Sequence, residues 1–119
     1  MKKSIALWVL QIAVAAMFVA AAVPKLAGAP LMVQMFDALG FGQWFRYFTA
    51  VLEISGAVLL IVPALAGIGA LVLAIVMIGA IVAHTLVLGG SALPAVVLLA
   101  ATLTIAWQRR VPRALLARV

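Results

Sequence analysis

Long apolar runs broken by proline and glycine are the feature that most constrains this chain. Four such runs stand out, and each approaches the roughly 20 residues that a helix needs to cross the apolar core of a bilayer. We place the spans at about residues 4–23, 47–62, 67–88 and 92–107. Backbone polar groups must be satisfied within lipid, so the runs are expected to be helical. The sequence therefore predicts an all-α membrane protein, a four-transmembrane-helix bundle forming a single integral membrane domain.

The composition supports this class and excludes others. Hydrophobic residues make up 70% of the chain and charged residues 8%, with two acids and eight bases. Soluble domains average about 25% charged residues, so these charges are too few to cover a globule in water. The sequence has no cysteine, which excludes disulfides, thiolate metal sites, iron–sulfur clusters and a cysteine nucleophile. No intrinsic cofactor is expected, because a single histidine also excludes haem held by two histidines of one chain.

The distribution of the basic residues predicts how the bundle is oriented in the membrane. Six of the eight lie at the ends, at Lys2, Lys3 and in a basic tail at residues 108–119, whereas Lys25 and Arg46 belong to the segment between the first two spans. The positive-inside rule then places both termini in the cytoplasm. This bias supports four spans over three, because three would place the two basic clusters on opposite sides. Because the bases flank apolar runs, they indicate membrane topology and not a nucleic-acid surface.

The N-terminal segment has some features of a signal peptide. Lys2 and Lys3 precede an apolar run, and Ala20 to Ala22 form a stretch of small residues. However, the run is near 20 residues long, whereas the apolar region of a signal peptide has about 7–15. We therefore expect the segment to be retained as the first span.

The outer loop between the first two spans contains a different kind of helix. Pro30 suits a first helical turn and Gly40 suits a helix stop. Between them, apolar residues recur on one helix face, at Leu31, Met32, Met35, Phe36 and Leu39. The pattern predicts a short interfacial amphipathic helix at about residues 30–39, lying against the outer surface of the membrane. The aromatic cluster that follows, at residues 44–48, is typical of a membrane interface.

Ionisable residues inside a span are rare, because each costs about 2.5–3.5 kcal/mol at a helix centre. This chain has Glu53 in the second span and His84 in the third. The predicted topology places both in the outer half of the bilayer, at similar depth. Lys25 closes the first span on the same side, and Arg46 precedes Glu53 on the same helix face.

Four residues are therefore candidates for binding a ligand or relaying a proton: Lys25, Arg46, Glu53 and His84. Thr49, between Arg46 and Glu53, and Asp37, on the interfacial helix above them, extend the set. A shallow outer pocket for a polar head group is one interpretation. A salt-bridged knot that only fixes helix register is another, and His84 could simply reach toward the interface. No metal site is predicted, because the ligands are too few, and no catalytic residue is assigned.

An ordered set of motifs accompanies these residues. The string Val23-Pro24-Lys25-Leu26-Ala27-Gly28 ends the first span, residues 35–40 read Met-Phe-Asp-Ala-Leu-Gly, and the acidic string at residues 52–57 follows. Met77 and His84 then lie in the third span. Over roughly residues 5–107 this order resembles the DoxX-like family of small bacterial membrane proteins. The resemblance implies a four-helix bundle in the inner membrane, and some relatives are linked to thiosulfate:quinone oxidoreductases or other oxidoreductase assemblies.

The resemblance favours a subunit or accessory protein of a quinone-linked membrane oxidoreductase system. No redox centre is visible in the sequence, so such a role needs a partner protein or a bound quinone. A small-solute or proton-coupled transporter is an alternative, although small multidrug transporters carry their membrane carboxylate in the first span and have short loops. A structural or assembly factor is a third. The lipid bilayer is the expected surrounding, while oxidoreductase partner proteins and a homo-oligomer remain open, as does enzymatic activity.

Overall fold

All the regular secondary structure in the described part of the chain is helical. A computed structural model describes residues 2–109, with side chains from Ile5 onward. The helices are α1 (Lys2–Ala27), α2 (Pro30–Leu39), α3 (Trp44–Leu60), α4 (Ala66–Ala83) and α5 (Leu93–Gln108). A five-residue π-helical segment, His84–Leu88, continues α4. The all-α class is confirmed, whereas the basic tail lies outside the described residues from position 110 on.

Four of the helices pack as a ring. Helix α1 contacts α3, α3 contacts α4, α4 contacts α5, and α5 returns to α1. Each of the four contributes one large, fully buried apolar side chain to the centre, namely Phe18, Leu60, Leu73 and Ile105. The ring therefore has a shared apolar core, and the shorter α2 lies outside it.

The outer surface of the ring is apolar as well. Ile75 is 68% exposed and Leu86 78% exposed, and many other large apolar side chains are also exposed. A patch of this extent is unfavourable in water and favourable in lipid. The segments Ile5–Ala27 and Ala66–Leu88, 23 residues each, are long and apolar enough to cross a membrane, while Leu93–Gln108 is a shorter apolar helix.

Helices α3 and α4 approach each other closely at a pair of glycines. A Cβ atom added to Gly69 would lie 2.8 Å from the carbonyl oxygen of Gly56 and 2.8 Å from the backbone nitrogen of Leu60. Small residues allow such close backbone approach between membrane helices. Only glycine fits at position 69 without moving one helix away from the other.

The prediction that Pro24 and Lys25 end the first helix is wrong. Helix α1 continues through Pro24 to Ala27. Proline lacks an N–H group but still offers its carbonyl, and the Pro24 carbonyl accepts a 3.0 Å hydrogen bond from the backbone N–H of Ala29. Gly28, with φ at 73°, makes the left-handed turn that ends the helix. The stop signal is therefore the glycine and not the proline.

The short helix predicted at residues 30–39 is present as α2 with the same bounds. Pro30 lies in its first turn, and Gly40 ends it with φ at 82°, donating its backbone N–H to the carbonyl of Asp37. Phe36 is the residue of α2 that is buried against the rest of the molecule. The position of α2 at the membrane interface stays a prediction.

Candidate functional site

A cavity of about 360 Å³ lies beneath α2. Helix α2 covers it with four apolar side chains, those of Met32, Met35, Phe36 and Leu39. Helix α3, helix α4 and the π-helical segment supply most of the remaining wall, and α1 supplies one residue, Lys25. Most of the wall is therefore apolar, and the polar groups are few enough to examine individually.

Lys25 and Glu53 form an ion pair at this cavity. Lys25 Nζ lies 3.0 Å from Glu53 Oε1, and the Glu53 side chain is only 2% exposed. Nζ also donates a 3.2 Å hydrogen bond to the carbonyl of Ala21, one turn earlier in α1. Within the described residues Lys25 is the one partner of the Glu53 carboxylate. Two of the predicted candidates, Lys25 and Glu53, therefore lie within ion-pair reach of each other.

His84 reaches the same cavity from the π-helical segment. The predicted third span is a continuous helix to Leu88, but its last turn has π-helical geometry, with the Gly89 N–H donating to the His84 carbonyl at 2.9 Å. The imidazole Nδ1 lies 3.1 Å from the Gly89 carbonyl oxygen. A carbonyl oxygen can only accept, so this hydrogen bond requires a proton on Nδ1. In the neutral ring, Nε2 is then an acceptor.

Thr49 completes the polar lining. Its hydroxyl donates a 2.8 Å hydrogen bond to the Phe45 carbonyl, one turn earlier in α3, and the residue lines the cavity. Three of the five elements around the cavity thus contribute a polar side chain from the predicted set, namely α1, α3 and the π-helical segment. Lys25, Thr49, Glu53 and His84 are the predicted residues that the structure brings together.

Arg46 has a different place. It is 5% exposed and does not line the cavity. Its Nη1 donates to the Lys25 carbonyl, its Nε donates to Gln43 Oε1 at 2.9 Å, and the guanidinium lies 4.3 Å from the centre of the Tyr47 ring. Arg46 therefore binds a carbonyl at the end of α1, where a cation is favourable, and fixes the backbone that carries Lys25.

Asp37 also lies away from the cavity. Its side chain is exposed, and its described interaction is the backbone hydrogen bond to Gly40 that closes α2. The outward face of an amphipathic helix is the ordinary place for a carboxylate. Among the described residues, no group of three histidine, cysteine or acidic side chains has the geometry of a metal site.

A second polar cluster, which sequence reasoning did not assign, lies at the other end of the ring. Gln11 is fully buried, donates a 2.8 Å hydrogen bond to the Leu60 carbonyl and accepts one of 2.8 Å from Arg109 Nε. The Arg109 guanidinium lies 5.4 Å from the centre of the Trp8 ring. The cluster ties α1 to the ends of α3 and α5. The available signal was Gln11 itself, the one strongly polar residue inside the first apolar run.

The helical ring, its apolar exterior and the partly polar cavity define a small, all-helical membrane protein. Comparison with known families gives this class a name. The sequence profile of the DoxX-like family matches residues 9–107, and the chain belongs to that family. No curated protein and no solved structure matches the chain. The resemblance drawn from the sequence motifs is thereby confirmed.

Proposed function

We propose that this protein crosses the bacterial inner membrane four times and binds an apolar ligand with a polar head, of the quinone class. In this proposal it acts as a subunit or accessory protein of a quinone-linked membrane oxidoreductase system. The observation that carries the proposal is the cavity beneath α2, in which apolar walls meet a buried ion pair and an imidazole.

The size and lining of the cavity support ligand binding. Its volume of about 360 Å³ falls at the lower end of the roughly 300–1,000 Å³ common for small-molecule sites. Such sites combine apolar and aromatic walls with a few placed polar groups, as here. A buried ion pair is weak evidence for stability, since well-packed apolar residues often serve as well. Its position on the wall of a cavity favours a binding role over that of a purely structural knot.

Four spans are supported by the surfaces of α3 and α5. These helices have 17 and 16 residues, or about 25 Å each at 1.5 Å per residue, slightly less than the roughly 30 Å of the apolar core. Val51 and Val58 of α3 are more than half exposed, as is Val97 of α5. Outside lipid these side chains would face water. Helices somewhat shorter than the bilayer are accommodated by local thinning.

The orientation follows from the bases of the full sequence. Six of eight lie at the two ends of the chain, so we place both termini in the cytoplasm. The ring places α2, the cavity and the α1–α3 connection at the opposite end from Gln11 and Arg109. The cavity then lies in the outer half of the membrane.

The direct test is to isolate the protein from native membranes and identify what accompanies it. We expect the purified wild-type protein to carry quinone at a higher quinone-to-lipid ratio than the bulk membrane does. We also expect an oxidoreductase subunit to accompany it. The double variant Glu53→Gln/His84→Ala should lose the quinone. Thr104→Val is the matched control, because Thr104 is exposed on α5 and its hydroxyl bonds only to its own helix. A quinone-to-lipid ratio in the purified wild type equal to that of the bulk membrane would contradict the proposal.

The buried carboxylate of Glu53 makes proton-coupled transport the second candidate function. A carboxylate buried in a span and lining a cavity is a common component of proton relays. Proton uptake into liposomes that depends on a solute gradient, and is lost in Glu53→Gln, would favour this candidate. Enrichment of quinone without any proton flux would favour the first.

A further inference from the structure

We infer that the ligand of this cavity is a hydrogen-bond donor, namely an apolar molecule that carries a hydroxyl group, such as a long-chain phenol or hydroquinone. The inference rests on the proposed function in one respect only, which is that the cavity beneath α2 binds a ligand. It is carried by an imbalance between donors and acceptors among the side chains that line the cavity.

Glu53 contributes the largest unused accepting capacity. An ionised carboxylate has about four acceptor positions and no donor. Within the described part of the chain its partner is Lys25, which faces Oε1 at 3.0 Å, and Oε2 has no partner there. The side chain is nevertheless 2% exposed, so bulk water cannot fully satisfy it. Polar groups buried without partners are costly, and a donor brought by a ligand would relieve that cost.

His84 and Thr49 add further acceptors. The contact of His84 Nδ1 with the Gly89 carbonyl commits the proton of the neutral ring to Nδ1, which leaves the lone pair of Nε2 without a partner among the described residues. The Thr49 hydroxyl donates its single proton to the Phe45 carbonyl, so its oxygen can only accept a further hydrogen bond. Both residues line the cavity.

Lys25 is the one residue of the polar lining that has a donor left. Its ammonium group carries three protons, of which one is directed to the Ala21 carbonyl and one faces Glu53. The polar lining therefore combines several free acceptors with a single free donor. A ligand that only accepts, such as a ketone or an oxidised quinone, can pair with Lys25 alone. A hydroxyl group can donate to Glu53, His84 or Thr49 and accept from Lys25.

The charge of the site favours a neutral donor over a cation. Lys25 already balances Glu53 at 3.0 Å, so an ammonium ligand would add an uncompensated charge beside Lys25. A hydroxyl group supplies the proton without that penalty. For a ligand of the quinone class, the cavity is therefore expected to favour the reduced, hydroquinone form over the oxidised form.

A matched pair of probes tests this inference on the purified full-length protein in detergent. The probes are 4-nonylphenol and 4-nonylanisole, which differ in whether the ring oxygen carries a proton or a methyl group. We expect the phenol to bind with a dissociation constant about 10- to 100-fold lower, the range for hydrogen bonds to charged groups. Binding is followed by the ligand-induced shift in melting temperature over a concentration series.

Variants of the cavity residues test whether the preference for the phenol arises in the cavity. Each probe partitions into the micelles equally for all variants, so a comparison of the ratio between variants cancels this contribution. The anisole-to-phenol ratio of dissociation constants should fall at least threefold in Glu53→Gln, His84→Phe or Thr49→Val, and stay unchanged in Thr104→Val. Thr49→Val keeps the ion pair intact, so it remains informative if Glu53→Gln fails to fold. A wild-type ratio near one, or the same ratio in all variants, would overturn the inference while leaving the cavity as a ligand site. Failure of both probes to bind would reject the proposed function together with it.

Discussion

At the scale of single residues, the organising feature is the charge pair between Lys25 and Glu53. Each charge alone would be costly inside a span, and together they compensate each other at 3.0 Å. Lys25 belongs to the last turn of α1 and Glu53 to the middle of α3, so the pair also joins two helices. Arg46 assists by binding the Lys25 carbonyl, which fixes the position of the lysine.

A double-mutant cycle measures this coupling. Lys25→Met and Glu53→Leu should each lower the free energy of unfolding by roughly 3–5 kcal/mol, because each leaves one buried charge unpaired. The double variant should recover most of that loss, since no unpaired charge remains. Unfolding titrations in mixed micelles of a mild detergent and dodecyl sulfate provide the free energies. Additive losses in the double variant would show that the two charges do not interact.

The residues of the site were predictable to the extent that their chemistry is unusual in a span. Glu53 and His84 are identifiable because ionisable groups are rare there, and Lys25 because it ends an apolar run. The role of Arg46 was not predictable, because its contact with α1 is made to a backbone carbonyl. The hydrogen bond from Arg109 to Gln11 joins residues 98 positions apart and leaves no local pattern.

At the scale of elements, local signals predicted α2 better than they predicted the end of α4. Pro30 and Gly40 have conformational preferences that set the bounds of α2 without help from tertiary structure. The string His84–Leu88 carries no comparable signal for π-helical geometry. This rare geometry often occurs at functional sites, and here it directs His84 to the cavity wall.

The close approach of α3 and α4 yields a prediction with an internal control. Gly69→Ala should lower the free energy of unfolding by about 1–3 kcal/mol, because the new Cβ would lie 2.8 Å from the Gly56 carbonyl oxygen and force the helices apart. Gly79→Ala, where nothing lies within 4 Å of the new atom, should be neutral or slightly stabilising. The same mixed-micelle titration measures both. Equal effects of the two substitutions would contradict this account of the contact.

Cysteine labelling can test the interfacial position of α2. The sequence has no cysteine, so each introduced cysteine is labelled without background. Gln34→Cys and Ala38→Cys lie on its exposed face, whereas Phe36→Cys replaces a buried ring. In intact cells of an outer-membrane-permeable strain, a membrane-impermeant maleimide should label the first two at least tenfold faster than the third. Uniform labelling of all three would show that α2 does not cover the cavity, and protection of all three would place it within the membrane.

At the scale of the whole molecule, the all-helical class was predictable because 70% hydrophobic and 8% charged residues leave few other solutions. The ring order was not predictable. It depends on which apolar faces match, and α4 and α5 are apolar on nearly all sides, so their sequences do not mark one packing face. A shallow outer pocket was one interpretation of the sequence, but the shape and the lining of the cavity were not predictable, because it is the space that α2, α3 and α4 leave between them.

The proposed topology, with four spans and both termini in the cytoplasm, can be tested with reporter fusions. A green fluorescent protein fused after Val119 should be fluorescent, and alkaline phosphatase at the same place should be inactive. Alkaline phosphatase fused after Gly40, in the proposed outer segment, should be active. Strong phosphatase activity of the fusion after Val119 would contradict the even number of spans.

The central claim is that the cavity beneath α2 is a ligand site formed by Glu53 and His84, and not a structural knot. Melting temperatures in detergent, with and without a short-chain hydroquinone, test it most directly. We expect the ligand to raise the melting temperature of the wild type, while His84→Ala folds normally and loses the shift. Glu53→Gln, which leaves the charge of Lys25 unpaired, should be less stable than the wild type and should also lose the shift. Thr104→Val should keep it. Absence of a shift in the wild type, or a full shift retained in both Glu53→Gln and His84→Ala, would contradict the claim.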